Sequence, residues 1–333
     1  MAIEIGTVNA DTSVKLGTTI IQSGYVGYNN FYGTEFKILD LFPSAHHAYS
    51  LRKLRTAYTG KCLRIRRTTS TPTVTTTTVD LSFDTATDII SLNSAITFVS
   101  GTATTAINLG QFCASIVNGY SNPDGVNTNQ NIFVVTWFDQ SGNGKNPTQA
   151  TAGLQPRLVN LGNLETSGGK VTVRFIRASS TRLNIADTTA NINNMSSYYV
   201  GAFATTTSGQ IGYTISGSST TAIFYFPFLA ANISAGYSTV NNAIQLDTGT
   251  TTNRRLYELL APSPLNSAVV QGWTNGISKG TYPIASGASQ TIQLGATGTS
   301  GFLDGYIQEV IGWQTNINRP EKEININNYW QVY

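Results

Sequence analysis

Charge is what this chain has least of. Only 11% of its 333 residues are Asp, Glu, Lys or Arg, where an average soluble protein carries about a quarter. Polarity comes instead from Thr, Ser, Asn and Gln, a profile that suits exposed β-sheet better than exposed helix. Histidine and cysteine are nearly missing as well, with two of each. Two cysteines in apolar settings, Cys62 in "KCLRI" and Cys113 in "QFCASIV", imply buried thiols and no disulfide framework. His46 and His47 are adjacent and have no Cys or carboxylate at ligand spacing, so neither a metal site nor a catalytic histidine is expected. Phosphate-loop spacing, dinucleotide fingerprints and a serine elbow are absent too, and no cofactor is expected. No apolar stretch approaches the roughly 18 residues of a membrane span. "MAIEIGTVNADTSVKLG" lacks the basic and apolar regions of a secretory signal, which points to synthesis and assembly in a cytoplasm.

What charge there is lies unevenly. The net charge is +3, and seven cations fall between Arg52 and Arg67 with no carboxylate among them. With only Tyr58 available for stacking, paired or solvated structural cations fit better than nucleic-acid binding. From Asp187 to Asp247 run 59 consecutive residues with no ionisable Asp, Glu, Lys, Arg or His. Such a stretch is either buried or faces a partner chain. Its most apolar part, "AIFYFPFLAANI", makes Phe224, Phe226 and Phe228 the candidate oligomer interface.

The pattern of elements predicts an all-β protein with one or two short helices. Residues 1–40 read as an extended N-terminal arm and 41–333 as one antiparallel β-sandwich of jelly-roll type. Short apolar runs cut by Gly, Asn and Ser recur from residue 131 onward, among them "IFVVTWF", "IGYTI" and "GYIQEVIGW". "FPSAHHAYSLRKLRTAYTGK" predicts a helix, because Ala48, Leu51, Leu54 and Tyr58 share a helical face before Gly60. A final helix is predicted to start near Pro320.

The sharpest local motif is "TWFDQSGNGKNPTQAT", where an apolar strand stops at Asp139. Asp139, Gln140, Gly142, Asn143 and Gly144 form the candidate structural turn: the carboxylate would accept backbone N–H groups, and the glycines would take positive φ. An arginine from "CLRIRR" is a second expected partner for Asp139. A cation held by Asp139, Asn143 and Asn146 would have a single carboxylate, a weak donor set. Glycoside hydrolysis needs two facing carboxylates. The candidates are Asp139, Glu165, Asp187, Asp247, Glu258, Asp304 and Glu309, and their spacing does not show that any two converge.

"AYSLRKLRTAYTGKCLRIRR", the Asp139 motif with "QPRLVN", and "IQLGATGTSGFLDGYIQEVIGW" together resemble the catalytic domain of the fungal α-L-arabinofuranosidase B family over roughly residues 45–333. The resemblance implies a concanavalin/laminin-G-like sandwich. It does not carry the activity. The family's general acid/base falls near Thr299, its nucleophilic glutamate falls in the uncharged middle, and its adjacent cysteine pair is missing. No catalytic residue is therefore expected. The Asn/Ile/Thr-rich style and the C-terminal "NRPEKEININNYW" resemble laminin-G-like structural proteins of bacteriophages, crAss-like phages among them. That resemblance implies a virion component, a head or tail fibre or a capsid decoration protein. It would be assembled in the host cytoplasm with other capsid or tail proteins, homo-oligomeric with a trimer favoured, and could contact host surface polysaccharide. A carbohydrate-binding module would use Tyr225, Trp273 and Trp313 as exposed glycan platforms; a divergent glycosidase is the other alternative.

Overall fold

The computed structural model describes residues 36–333 apart from 70–74, 127, 188, 190–194, 218–222, 230–231, 238–242, 248–251, 261–268, 284–288 and 316. Of the first 35 residues it describes only 14–16, 19–21, 25–26 and 29–30, so the predicted arm lies largely outside the described residues. The sandwich already includes residues assigned to the arm, because Ile38 and Leu39 of helix α1 (Ile38–Leu41) are fully buried.

The strands are β1 (Ala45–Ser50), β2 (Leu63–Thr69), β3 (Thr75–Leu81), β4 (Ile96–Gly101), β5 (Ile132–Trp137), β6 (Arg157–Asn160), β7 (Val173–Phe175), β8 (Leu183–Ala186) and β9 (Ser196–Phe203). They continue with β10 (Gln210–Gly217), β11 (Ile223–Leu229), β12 (Ile233–Tyr237), β13 (Ala243–Asp247), β14 (Arg255–Leu260), β15 (Val269–Thr274), β16 (Ile277–Pro283), β17 (Ser289–Leu294) and β18 (Gly305–Trp313). Two short helices complete the fold, α2 (Leu109–Phe112) and α3 (Arg319–Trp330). The large sheet runs β16-β15-β14-β9-β18-β7-β6-β5-β2-β3-β4, and β1 pairs with the second half of β18. The second sheet runs β8-β17-β10-β11-β12-β13. These pairings are antiparallel, and the two sheets enclose one large core that includes Trp137, Phe175, Tyr199, Tyr213, Phe226 and Ile292. The all-β sandwich is therefore the fold.

A second, smaller core lies on the outer face of the large sheet. There α1 and α3 cover β1, β9 and β18 through Ile38, Leu39, Tyr198, Trp313, Ile326 and Trp330. The C-terminal helix starts where the sequence placed it, with Pro320 in its first turn. The helix predicted over "FPSAHHAYSLRKLRTAYTGK" is instead strand β1 followed by irregular chain. All six residues of β1 are buried, because one face looks into the main core and the other lies under the helices. A strand buried on both faces shows no alternation, so the chance helical spacing of Ala48, Leu51 and Leu54 misleads.

Among the described residues, burial also accounts for most of the uncharged middle. Every residue of β9 is buried, as are Ile211, Tyr213 and Ile215 of β10. Phe226, expected at an oligomer interface, is fully buried in the main core and Phe228 is half-buried. The Phe224 side chain lies outside the described residues.

Candidate functional site

The turn after β5 closes on Asp139, which is 5% exposed. Its Oδ1 accepts the backbone N–H groups of Ala48 (2.8 Å) and Ser141 (2.9 Å). Its Oδ2 accepts the Ser141 hydroxyl (2.7 Å) and the Lys145 backbone N–H (3.1 Å). Burial raises the Asp139 pKa, and these four donors work against that rise. Gly142 and Gly144 hold φ of +94° and +70°, which only glycine adopts without strain. Gln140 donates to the carbonyls of Ser50 and Arg52 and accepts the Leu54 N–H, while Asn143 donates to the carbonyls of Ala45 and His46. The turn thus anchors both ends of β1. The arginine expected beside Asp139 is not there: Arg64 pairs with Asp80, Arg67 with Asp124, and Arg66 donates to Gln155. A cation site at this turn is filled by protein donors, since Asn146 Oδ1 already accepts the Asp139 N–H. Among the described residues no group of three or more His, Cys, Asp or Glu could hold a metal ion.

The cations from Arg52 to Arg67 are likewise held within the fold. Besides those pairs, Arg52 meets Glu309, Lys53 lies 3.9 Å from Asp88, Arg55 donates to the Pro43 carbonyl, and Lys61 donates to Ser82 and Thr97. Cys62 and Cys113 are free and buried, and burial raises both thiol pKa values.

Beside the turn, β1 carries a polar chain to the opposite sheet. Lys145 Nζ donates to Asp187 Oδ1 (2.7 Å) and to Thr189 Oγ1 (2.6 Å), and the Thr189 hydroxyl donates to Asp187 Oδ1 (2.8 Å). Thr189 Oγ1 must then accept from His46 Nε2 (3.2 Å). That leaves His46 Nδ1 to accept from His47 Nδ1 (3.0 Å), and His47 Nε2 to accept the Tyr213 hydroxyl (2.7 Å). Adjacent strand residues normally point to opposite faces; here the rings meet edge to face at 5.3 Å. The chain ties β1 of the large sheet to β10 of the second. His47 and Tyr213 have no exposed surface, so the inner half of this chain is closed to solvent. The link is not legible in "HH", because adjacent side chains diverge in a helix and in a strand alike.

Burial, aided by Lys145 and opposed by Asp187, lowers the His46 pKa to about 4, and burial lowers His47 well below 6.5. Both rings are neutral when folded but take up protons near pH 6.5 when unfolded. Their contribution is therefore complete above about pH 6.5 and is lost as pH falls toward 4, with a slope of at most about 1.4 kcal/mol per pH unit for each ring. Glu258 acts oppositely, since burial and the neighbouring Glu323 push it up to about 8, so its contribution is lost as pH rises from about 4.5 through 8. Urea unfolding at pH 7 and pH 5 of the wild type and of His46→Gln separates the two. The variant should lose less stability between these pH values, and an equal loss would exclude the histidine.

Six of the seven carboxylates considered for hydrolysis face a cation. Arg157 meets Glu165 at 2.6 Å, Lys145 meets Asp187 at 2.7 Å, and Arg255 meets Asp247 at 3.0 Å. Arg319 meets Glu258 at 2.9 Å, Arg174 meets Asp304 at 2.5 Å, and Arg52 meets Glu309 at 2.8 Å. The seventh is Asp139, with its four donors. The turn around Thr299 carries no carboxylate; Gln293 Oε1 accepts the Gly298 N–H there.

The three aromatics expected as glycan platforms are covered. Tyr225 is 6% exposed, Trp273 8% and Trp313 2%. The Arg319 guanidinium lies 4.2 Å from the Trp273 ring centre, and Trp313 Nε1 donates to the Phe42 carbonyl beneath α1. Alternation places an aromatic on one face of a strand but does not say which face a helix then covers. An open pocket of about 310 Å³ lies elsewhere, lined by Ile116, Gly119, Tyr120, Ser121, Asn122 and Val126. The Tyr120 hydroxyl donates to Asn93 Oδ1, and the ring packs on Gly110.

No protein-family model matches the chain, and no curated protein matches it. Among solved structures, a GH54 α-L-arabinofuranosidase mutant soaked with 4-nitrophenyl α-L-arabinofuranoside superposes with TM-score 0.55 at 16% identity. It is matched over 90% of this chain and 65% of its own. A GH54 α-L-arabinofuranosidase soaked with a cyclic sulfate inhibitor gives TM-score 0.52 at 15% identity with the same coverage. The binding domain of botulinum neurotoxin DC, in complex with rat synaptotagmin II, gives TM-score 0.41 at 11% identity over 60% of this chain and 49% of that one. The arabinofuranosidase likeness defines the class, an antiparallel β-sandwich, and this chain spans 65% of those enzymes' length. Among the described residues no helix is long and apolar enough to cross a membrane.

Proposed function

We propose that the chain is a non-hydrolytic β-sandwich of a bacteriophage particle, a fibre or capsid decoration component. The arm that precedes helix α1 attaches it, and the sandwich meets host surface polysaccharide. The observation that carries the non-hydrolytic part is the commitment of the sandwich carboxylates. A glycosidase needs one carboxyl free to give up a proton and a second facing it across a groove, about 5 to 10 Å away. Here Glu165, Asp187, Asp247, Asp304 and Glu309 each meet a cation, Glu258 has no exposed surface on which to meet a substrate, and Asp139 is closed off by its four donors.

Tyr225, Trp273 and Trp313 are buried, which makes the open pocket beside Tyr120 our candidate for saccharide contact. Its volume is at the lower end of the range for small-molecule sites, about 300 to 1,000 Å³, and it combines an aromatic ring with hydroxyl and amide groups. The test is to incubate the protein with 4-nitrophenyl α-L-arabinofuranoside and with immobilised cell-surface polysaccharide. Retention on the polysaccharide with no product release is expected. Release that disappears in Asp304→Asn would make the chain a hydrolase.

A further inference from the structure

The large sheet ends at β16 on one side and at β4 on the other, and of these two edge strands β16 carries Lys279 while β4 carries no charge. No residue of β4 is buried, and Phe98 in its middle is 45% exposed. Ile107, 68% exposed, lies beside the strand because its carbonyl accepts the Ile96 N–H. Residues 89–123 around this edge contain no Asp, Glu, Lys, Arg or His, a run of 35. In β9 and β10 the lack of charge accompanies burial; at β4 it accompanies exposure.

An exposed strand presents a row of main-chain donors and acceptors that only another extended chain satisfies in full. Proteins that must stay apart protect such edges with charges, proline or a covering segment. Here Ile107 and Asn108 cover the first end of the strand, and the β3–β4 register shift between Thr78 and Val79 bends it, so the edge left open for pairing is Phe98–Gly101. The charges that flank the strand are tied up within the chain: Lys61 Nζ donates to Ser82 and Thr97, Asp80 opposite Thr97 pairs with Arg64, and Asp124 pairs with Arg67.

We propose that β4 is the pairing edge between two copies of this chain, joined antiparallel about a two-fold axis so that the large sheets run on into one another. A two-fold interface lays one surface against itself. Any net charge on it would repel its own copy, and a neutral edge of either face removes that cost. A six-residue strand is short for a stable contact, which needs on the order of 1,000 Å² in total, so Phe98 and Ile107 are required to add apolar area. A saccharide would leave the main-chain row and Phe98 unmatched.

Sedimentation velocity across the micromolar range tests this. The wild type is expected at twice the chain's 35.7 kDa. Phe98→Lys and Ile107→Lys, both at exposed positions, are expected at 35.7 kDa with unchanged far-ultraviolet circular dichroism. A monomeric wild type, a trimer, or a dimer that survives both substitutions would overturn the proposal.

Discussion

Arg52→Ala is expected to cost about 3–5 kcal/mol of stability, the range for leaving a buried charge without its partner. The Arg52 and Glu309 side chains are 5% and 1% exposed. Arg52 Nε donates to Glu309 Oε2 at 2.8 Å and its NH2 group to Oε1 at 3.1 Å, a two-pronged pair. Ser50 Oγ also donates to Oε2 (2.7 Å), and the guanidinium lies 4.5 Å from the Tyr329 ring centre on α3. One side chain thus joins the end of β1, the middle of β18 and the C-terminal helix. Truncation leaves the Glu309 carboxyl without its partner in a site closed to water, which should lower the thermal midpoint by on the order of 10 °C. Replacing both partners, as Arg52→Met with Glu309→Leu, should recover most of the loss, because the cost lies in the orphaned charge. Calorimetry of the two variants beside the wild type checks both statements.

Asp139→Ala carries a loss of similar size for a different reason. Its two oxygens accept four hydrogen bonds, three of them from the backbone N–H groups of Ala48, Ser141 and Lys145. A buried donor left without an acceptor costs about 1–3 kcal/mol, and bonds to a charged group are the stronger kind. Some of these groups regain water at the half-exposed side of the turn, so the sum falls to about 3–4 kcal/mol. Because Ala48 sits in β1, the damage spreads to the strand that also carries His46 and His47. Urea unfolding should show a lower midpoint with an unchanged slope.

How much of this was legible in the sequence depended on how many faces each element buries. β5 and β18 stood out as apolar runs with turn residues beyond them, and α3 announced itself through Pro320. β1 did not, because a strand covered on both faces shows no alternation and "AHHAYSLRKL" happens to fit a helix. The corner at Asp139 was legible in its glycines, whose positive φ follows from the motif. Its partners were not, since backbone N–H groups leave no trace in residue identity, and the arginines nearby suggested an ion pair that Asp80 and Asp124 take up instead. Trp273 and Trp313 illustrate the same limit: their place on strands was readable, but their cover by Arg319 and by α1 comes from segments distant in sequence. The uncharged runs over 89–123 and 188–246 have the same character in composition, and only tertiary burial separates the filled core around β9 and β10 from the open edge at β4.

The central claim is that the stretch most like an active site is a structural corner. Calorimetry of Asp139→Ala and Asp139→Asn beside the wild type, each sample also assayed for polysaccharide retention, tests it most directly. The account predicts a lower thermal midpoint in both variants, larger for alanine, with retention unchanged at a temperature where all three are folded. An active-site carboxylate behaves the other way, since its removal commonly relieves strain and raises stability while function is lost. Midpoints equal to or above the wild type, with retention abolished, would contradict the account.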